Sequence, residues 1–264
     1  MYAFDYQRAK SVADAAAAFE KADDAAFLAG GQTLIPTLKQ RLRQPSVVID
    51  LGTLTELKGI SVTQEAVIIG AGMTHAEVAA SPEVAKAIPG LADLAAHIGD
   101  PQVRNRGTLG GSIANNDPAA DYPGAVVALG ATVHTSTREL SGEDFFTGMF
   151  ETALAPGELV VKVSFPIPRR AAYAKFRNPA SRYAIVGVMI AETASGIRVA
   201  VTGAGPGVFR VPEMEGALSQ NFSIAAIRNI RIPADDLNAD IHATAEYRAH
   251  LIGVMAERAI SAIA

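Results

Sequence analysis

The chain has 264 residues, 49% of them hydrophobic, enough for one large or two modest domains that each bury a core. A net charge of −4 and a pI near 5.8 show no basic excess, which argues against a nucleic-acid partner. Cysteine is absent, which excludes disulfides, thiolate nucleophiles and Cys-held zinc or iron–sulfur clusters, so any redox chemistry needs a bound organic cofactor.

The five histidines, His75, His97, His134, His242 and His250, are scattered without an HExxH pair, and no metal site is expected. No apolar run approaches the roughly 18–20 residues of a membrane span, and the start MYAFDYQRAKSV has no apolar signal core. A cytoplasmic location without a membrane span is the expectation.

Residues 11–22 carry Ser11 as N-cap, Asp14 three positions on, and Val12, Ala15, Ala16 and Phe19 at helical spacing, which predicts an amphipathic helix. Residues 25–29 then read as a strand feeding the turn Gly30-Gly31, and 47–50 and 66–71 are further short strands. Thr74 with Glu77 forms a capping-box pattern. Residues 82–98 are helical but broken at Pro89-Gly90, and 99–123, rich in Gly, Asn, Asp and Pro, read as a long functional loop.

Strand signals return at 131–137 and 158–165, before the connection Pro166-Ile167-Pro168-Arg169-Arg170. Residues 171–177, 184–192 and 197–204 resemble three strands of a meander, and a last helix from about Thr244 carries Tyr247, Leu251, Val254 and Met255 as one buried stripe. Interleaved strands and helices followed by a meander predict an α+β fold with a domain boundary at 168/169.

Two segments carry chemistry. In Leu28-Ala29-Gly30-Gly31-Gln32-Thr33-Leu34 a strand ends in two glycines, which admit positive φ and close backbone approach to an anion, while Thr33 either caps the next helix or hydrogen-bonds a ligand. A purely structural strand–turn–helix connection accounts for the segment equally well. In Thr108-Leu109-Gly110-Gly111-Ser112, continuing to Asn115 and Asp121, a second double glycine is flanked by hydroxyls and by side chains able to bind a ribose or ribityl chain. A dinucleotide lying between two lobes would take backbone amides from both turns. No Walker lysine follows either turn, and neither is a GxGxxG opening a Rossmann unit. Gly70-Ala71-Gly72 and Gly203-Ala204-Gly205-Pro206-Gly207 read as plain turns.

AGGQTLIP and TLGGSIANNDPAADYP, in that order and separation, resemble the two FAD loops of the flavin subunit of the xanthine dehydrogenase and carbon monoxide dehydrogenase family of molybdenum hydroxylases. The likeness continues through VVIDLGTLTELKGI, IGAGMTHAEV, KFRNPASRYAIVGV and DDLNADIHATAEYRAHLIGVMAERA, which together span nearly the whole chain. It implies a flavin domain of the vanillyl-alcohol-oxidase (PCMH) type over residues 1–168, with lobes at about 1–55 and 56–168, and a smaller α/β domain with a three-stranded antiparallel sheet over 169–264.

By position it implies that Ala29, Gly30, Gly31, Gln32 and Thr33, with Thr108, Leu109, Gly110, Gly111 and Ser112, hold the FAD diphosphate. Asn115 and Asp121 would bind the ribityl and adenosine side, and Leu28, Leu34, Ile98 and Val160 would pack on the cofactor. Lys175 and Tyr183 would lie beside the isoalloxazine ring, where an aromatic covers the ring face and a cation favours negative charge on reduced flavin. The chain departs from the family pattern at Asn116, where relatives often carry histidine, and in Asn178–Arg182, which lacks the acidic residue many carry before the aromatic.

The function so implied is electron relay. FAD, held noncovalently, takes electrons from a [2Fe–2S] small subunit and passes them to an external acceptor, while a large subunit with the molybdenum cofactor oxidises the substrate, in a dimer of heterotrimers. The lack of cysteine agrees with clusters held by a partner. One rival is a self-contained flavin oxidase or reductase, for which His75, His97 and Tyr183 are the available acid–base groups. A second is a nucleotide-binding domain without turnover.

Overall fold

The computed structural model describes residues 1–263. Strands Asp5–Arg8, Val47–Asp50 and Ala25–Leu28 form a parallel sheet in that order, with Val47–Asp50 central. Helix Val12–Glu20 makes the first crossover and is stopped at its N-terminus by Ser11, whose side chain accepts from the Asp14 amide. A short helix, Leu34–Lys39, follows strand Ala25–Leu28.

A second sheet of five strands runs in the order Ile60–Val62, Ala66–Gly70, Val160–Pro166, Thr132–Thr135 and Glu139–Ser141, all antiparallel. Its centre is the strand latest in sequence, Val160–Pro166, where Val163 and Phe165 are wholly buried. Thr74 and Glu77 form the expected reciprocal cap at the start of helix His75–Ala80. Helices Pro82–Ala87 and Pro89–Ala96 divide at Ile88, since each proline takes a first-turn position where no amide is needed.

The long loop expected over 99–123 is not present. Helices Pro101–Arg104 and Leu109–Asn115 and the start of Tyr122–Ala128 occupy it, with Asp100 and Thr108 as N-caps. Its Asn, Asp and Thr residues mark caps and short connections rather than irregular chain.

The last sheet has four strands rather than three: Arg170–Arg177, Ala184–Thr193, Gly196–Thr202 and a short edge, Phe209–Arg210. Period-two alternation gives it two buried faces. Tyr173, Met189 and Ala200 align across three strands and join the core of the preceding sheets, while Ala172, Ile190 and Val199 align on the other face with helix Ala245–Ile263.

On that helix the buried stripe differs from expectation, because Tyr247 is exposed and its neighbour Arg248 lies in the core with Leu251, Ile252 and Met255. The guanidinium is accepted there because it donates to the carbonyls of Ile185 (2.7 Å) and Gly203 (2.9 Å) and pairs with Asp240 at 2.7 Å. A buried carboxylate closes the second sheet in the same manner. Glu158 accepts from Thr135, Thr137, Arg138 and the Ala155 amide, and its pKa falls to about 2, chiefly through the Arg138 hydrogen bond.

Arg248→Met should cost roughly 2–4 kcal/mol of unfolding free energy, because two buried carbonyls lose their donor; urea titration checks this, and a loss below about 0.5 kcal/mol would contradict the role given to the guanidinium. Since the Glu158 pKa is lowered on folding, its contribution is present above the ordinary carboxylate range and disappears as pH falls toward about 2. Glu158→Gln should therefore lower stability at neutral pH and flatten the acid limb of a stability–pH curve; an unaltered limb would refute the linkage.

Candidate functional site

A cleft of about 780 Å³ opens between the parallel sheet and the five-stranded sheet, within the range of a cofactor site. Ala29, Gly30, Gly31, Gln32, Thr33 and Leu34 line it on one side, and Thr108, Gly110, Gly111, Ser112 and Asn115 on the other. Ile98, Asp121, Val160 and Tyr183 also reach it. The structure thus brings both glycine segments to one cavity. Leu28, Leu109 and Lys175 are not part of its wall. Strand alternation turns Leu28 away from the face that carries Phe27 and Ala29, and Leu109, fully buried, points into the core from its helix.

The first segment leaves a row of backbone donors open on the cleft wall. Gly31 has φ +74°, and a Cβ there would meet the Ile35 side chain at 2.7 Å, so the turn requires glycine. A Cβ on Gly30 would lie 2.1 Å from the carbonyl oxygen of Arg106, which holds the first segment against the chain entering the second. Among the described residues, the amides of Gly30, Gly31, Gln32 and Thr33 donate to no protein acceptor. Of the two uses open to Thr33, capping is not realised: its side chain makes no cap hydrogen bond and lies on the cleft wall.

The second segment differs from expectation, because four of its five amides, all but that of Thr108, are already used. Leu109 N–H donates to Met73 O (3.0 Å), Gly110 to Ala71 O (2.8 Å), Gly111 to Thr108 Oγ1 (3.1 Å) and Ser112 to Thr108 O (3.0 Å). A helix begins at Leu109, and its first-turn amides, which have no intrahelical acceptor, are taken up by Met73 O, Ala71 O and the Thr108 cap. The glycines serve approach instead. A Cβ on Gly110 would strike Ala71 at 2.5 Å, and one on Gly111 would meet Thr108 Oγ1 at 2.9 Å and Ala29 across the cleft at 3.8 Å.

Asp121 and Lys175, expected to act separately, form one ion pair. Lys175 Nζ lies 2.9 Å from the carboxylate, with both side chains almost wholly buried (3% and 4% exposed), and also donates to His97 O. The Tyr173 hydroxyl donates to the same carboxylate at 2.5 Å, and only glycine at 187 leaves room for that ring, since a Cβ would meet the hydroxyl at 2.2 Å. Burial pushes the Asp121 carboxyl up, opposed by Lys175 and Tyr173. The Lys175 charge is therefore spent on Asp121 rather than offered to a ring, and Asp121 ties the last sheet to the cleft.

His75 lines the cavity and is 4% exposed, with its ring 5.4 Å from Tyr122 and no partner for Nδ1; burial lowers its pKa to about 4, so it is neutral at physiological pH. His97 lies off the wall, bound through Nδ1 to Asp93 O. Tyr183, half exposed, stands on the Asn178–Tyr183 turn, where burial raises its pKa. No hydrogen bond or ion pair links His75, His97 and Tyr183 to one another among the described residues. Asn116 is structural: at φ +43° it ends a helix and donates to Gly148 O and Glu151 O. Sequence reading passed over Phe27, Leu51, Leu54 and Leu57 on the wall, and Arg106, whose place immediately before the second glycine segment was the available signal.

The family described as the FAD binding domain in molybdopterin dehydrogenase matches residues 2–168. The chain is 36% identical over 272 residues to the nicotine 6-hydroxylase medium subunit of Paenarthrobacter nicotinovorans, covering 98% of this chain and 96% of that protein. It is 34% identical to the carbon monoxide dehydrogenase medium chain of Hydrogenophaga pseudoflava, over 98% and 96% of the two chains. Among solved structures, a chain of reconstituted CO dehydrogenase from Oligotropha carboxidovorans superposes with TM-score 0.89 at 31% identity, covering 100% and 99%. A chain of quinoline 2-oxidoreductase from Pseudomonas putida 86 superposes with TM-score 0.90 at 29% identity, covering 99% and 97%. A profile match over most of the chain, near full-length likeness to medium subunits and a cleft walled by both glycine segments agree: the chain belongs to the FAD-binding medium subunits of the xanthine dehydrogenase and carbon monoxide dehydrogenase family of molybdenum hydroxylases.

Proposed function

We propose that this chain binds one FAD noncovalently and relays electrons within a heteromeric molybdenum hydroxylase. The observation that carries the reading is the row of unpartnered amides at Gly30–Thr33 facing, across a cleft of about 780 Å³, a second glycine segment that approaches to within one methyl group. An extended dinucleotide fits such a gap, with its diphosphate on the amides, Thr33, Ser112 and Asn115 as hydrogen-bonding side chains, and Ile98, Leu34 and Val160 as apolar contacts. Bound FAD supplies the ability to accept electrons singly and release them in pairs.

The chain's own part is to hold and orient the cofactor and to exclude water from it. Tyr183 offers an aromatic face at the cavity edge, and Lys175 acts through Asp121, anchoring the last sheet. With no cysteine in the chain, iron–sulfur clusters belong to a partner. The proposal accordingly includes a [2Fe–2S] small subunit, a large subunit with the molybdenum cofactor, assembly as a dimer of heterotrimers, and a cytoplasmic setting. Among the described residues no helix is long and apolar enough to cross a membrane. We assign residues 1–168 to a two-lobed flavin domain of the vanillyl-alcohol-oxidase type, one lobe on each of the first two sheets, and 169–264 to a second domain. The family match to residues 2–168 supports that division.

The purified protein should carry flavin absorbance, release FAD rather than FMN on denaturation, and copurify with a cysteine-rich chain and a large chain. Colourless protein, or turnover of an organic substrate by this chain alone, would sink the relay reading. Gly111→Val forces a branched side chain onto Thr108 and toward Ala29; an overpacking penalty of about 1–3 kcal/mol corresponds to roughly five- to 150-fold weaker FAD binding. Flavin content per chain measures it, and full occupancy in the variant would contradict the assignment.

A further inference from the structure

We propose that Arg106 is the counter-charge that the FAD diphosphate meets in the cleft, a proposal that rests on the reading of the cleft as an FAD site. Four amides carry only partial positive charge, whereas a diphosphate diester carries two formal negative charges, so a cation beside the amide row strengthens its binding. The cleft wall holds four candidates: Arg43, Lys58, Arg106 and Arg182.

Two of them are engaged elsewhere. Arg43 donates to Ala25 O and faces Asp24 at 3.6 Å, and Lys58 donates to Gly72 O and faces Glu77 at 3.5 Å. The carboxylates on the wall divide in the same way, since Asp121 is held by Lys175 and Glu158 by Arg138. Among the described residues, Arg106 and Arg182 then have no carboxylate partner and no side-chain hydrogen bond, and Asp117 is the wall carboxylate without a cation.

Position separates the two arginines. Arg182 stands on the Asn178–Tyr183 turn, at the end where burial and then the charge of Asp117 raise the pKa of Tyr183, so that end already mixes both signs. Arg106 is the residue whose carbonyl oxygen would lie 2.1 Å from a Cβ on Gly30, which places it against the start of the unpartnered amide row, and no wall carboxylate is paired with it. It is solvent-exposed, so its guanidinium is free to swing onto two phosphate oxygens at once, a geometry that a lysine ammonium does not reproduce. The same residue joins the two glycine segments through its backbone and supplies charge through its side chain.

The test strips flavin from the protein, in the assembly in which it purifies, and titrates back FAD by flavin fluorescence and ADP by calorimetry at several salt concentrations. Arg106→Gln should weaken FAD and ADP alike, by about tenfold, and make both affinities less sensitive to salt; Arg106→Lys should recover part of the loss and the salt sensitivity. FAD and ADP affinities in R106Q equal to wild type would overturn the proposal, as would a loss confined to FAD, which would place the side chain on the flavin half. If the unaltered protein takes up neither ligand, the cleft reading itself falls, which is a separate result from an Arg106 variant that binds normally.

Discussion

The contact between Gly30 and the backbone at Arg106–Gly107 sets the geometry of the cleft. Here the turn after strand Ala25–Leu28 abuts the chain entering the second glycine segment, and any side chain at position 30 would force the two apart. The contact is backbone to backbone, and the amides of Gly30 to Thr33 stand beside it with no protein acceptor among the described residues, while the facing segment is held by its own bonds to Ala71 and Met73. A site preorganised in this way spends little of its binding energy on ordering its own donors.

The two glycine segments serve different purposes although they look alike. At Gly31 glycine is required for a left-handed turn, beside amides that stay open; at Gly110–Gly111 it is required for close packing against Ala71 and Thr108, at a helix start whose donors are taken by Met73, Ala71 and Thr108. The cleft is therefore asymmetric, with backbone donors concentrated on one wall and hydroxyls, Asn115 and apolar surface on the other. Such a division suits a ligand with a charged middle and two aromatic ends.

The last sheet is bound to this arrangement by the Asp121, Lys175 and Tyr173 cluster, which is buried and fully paired. A buried ion pair of this kind contributes orientation more than net stability, since desolvation offsets most of the attraction. Here it fixes where the Asn178–Tyr183 turn stands relative to the cavity edge, and thus where Tyr183 presents its ring. Charges elsewhere on the wall are neutralised in pairs as well, which leaves the few free ones, Arg106 above all, to distinguish an anionic ligand from a neutral one.

Local physics was legible in the sequence by itself. Ser11, the Thr74–Glu77 cap, the break at Pro89, the strand at 184–192 and the turn at Gly30–Gly31 depend on neighbours within a few residues, and each was readable from spacing and residue type. Both glycine segments and the family they resemble were equally visible. Tertiary structure decided everything that depends on distant partners: that Val160–Pro166 becomes the centre of a sheet begun at Ile60, that Arg248 rather than Tyr247 is buried, and that Lys175 spends its charge on Asp121. It also decided that four of the second segment's five amides are consumed by Met73, Ala71 and Thr108. A one-dimensional pattern shows which groups can donate or carry charge, but whether a donor or charge is still free depends on which remote acceptor reaches it first, and only the folded chain settles that competition.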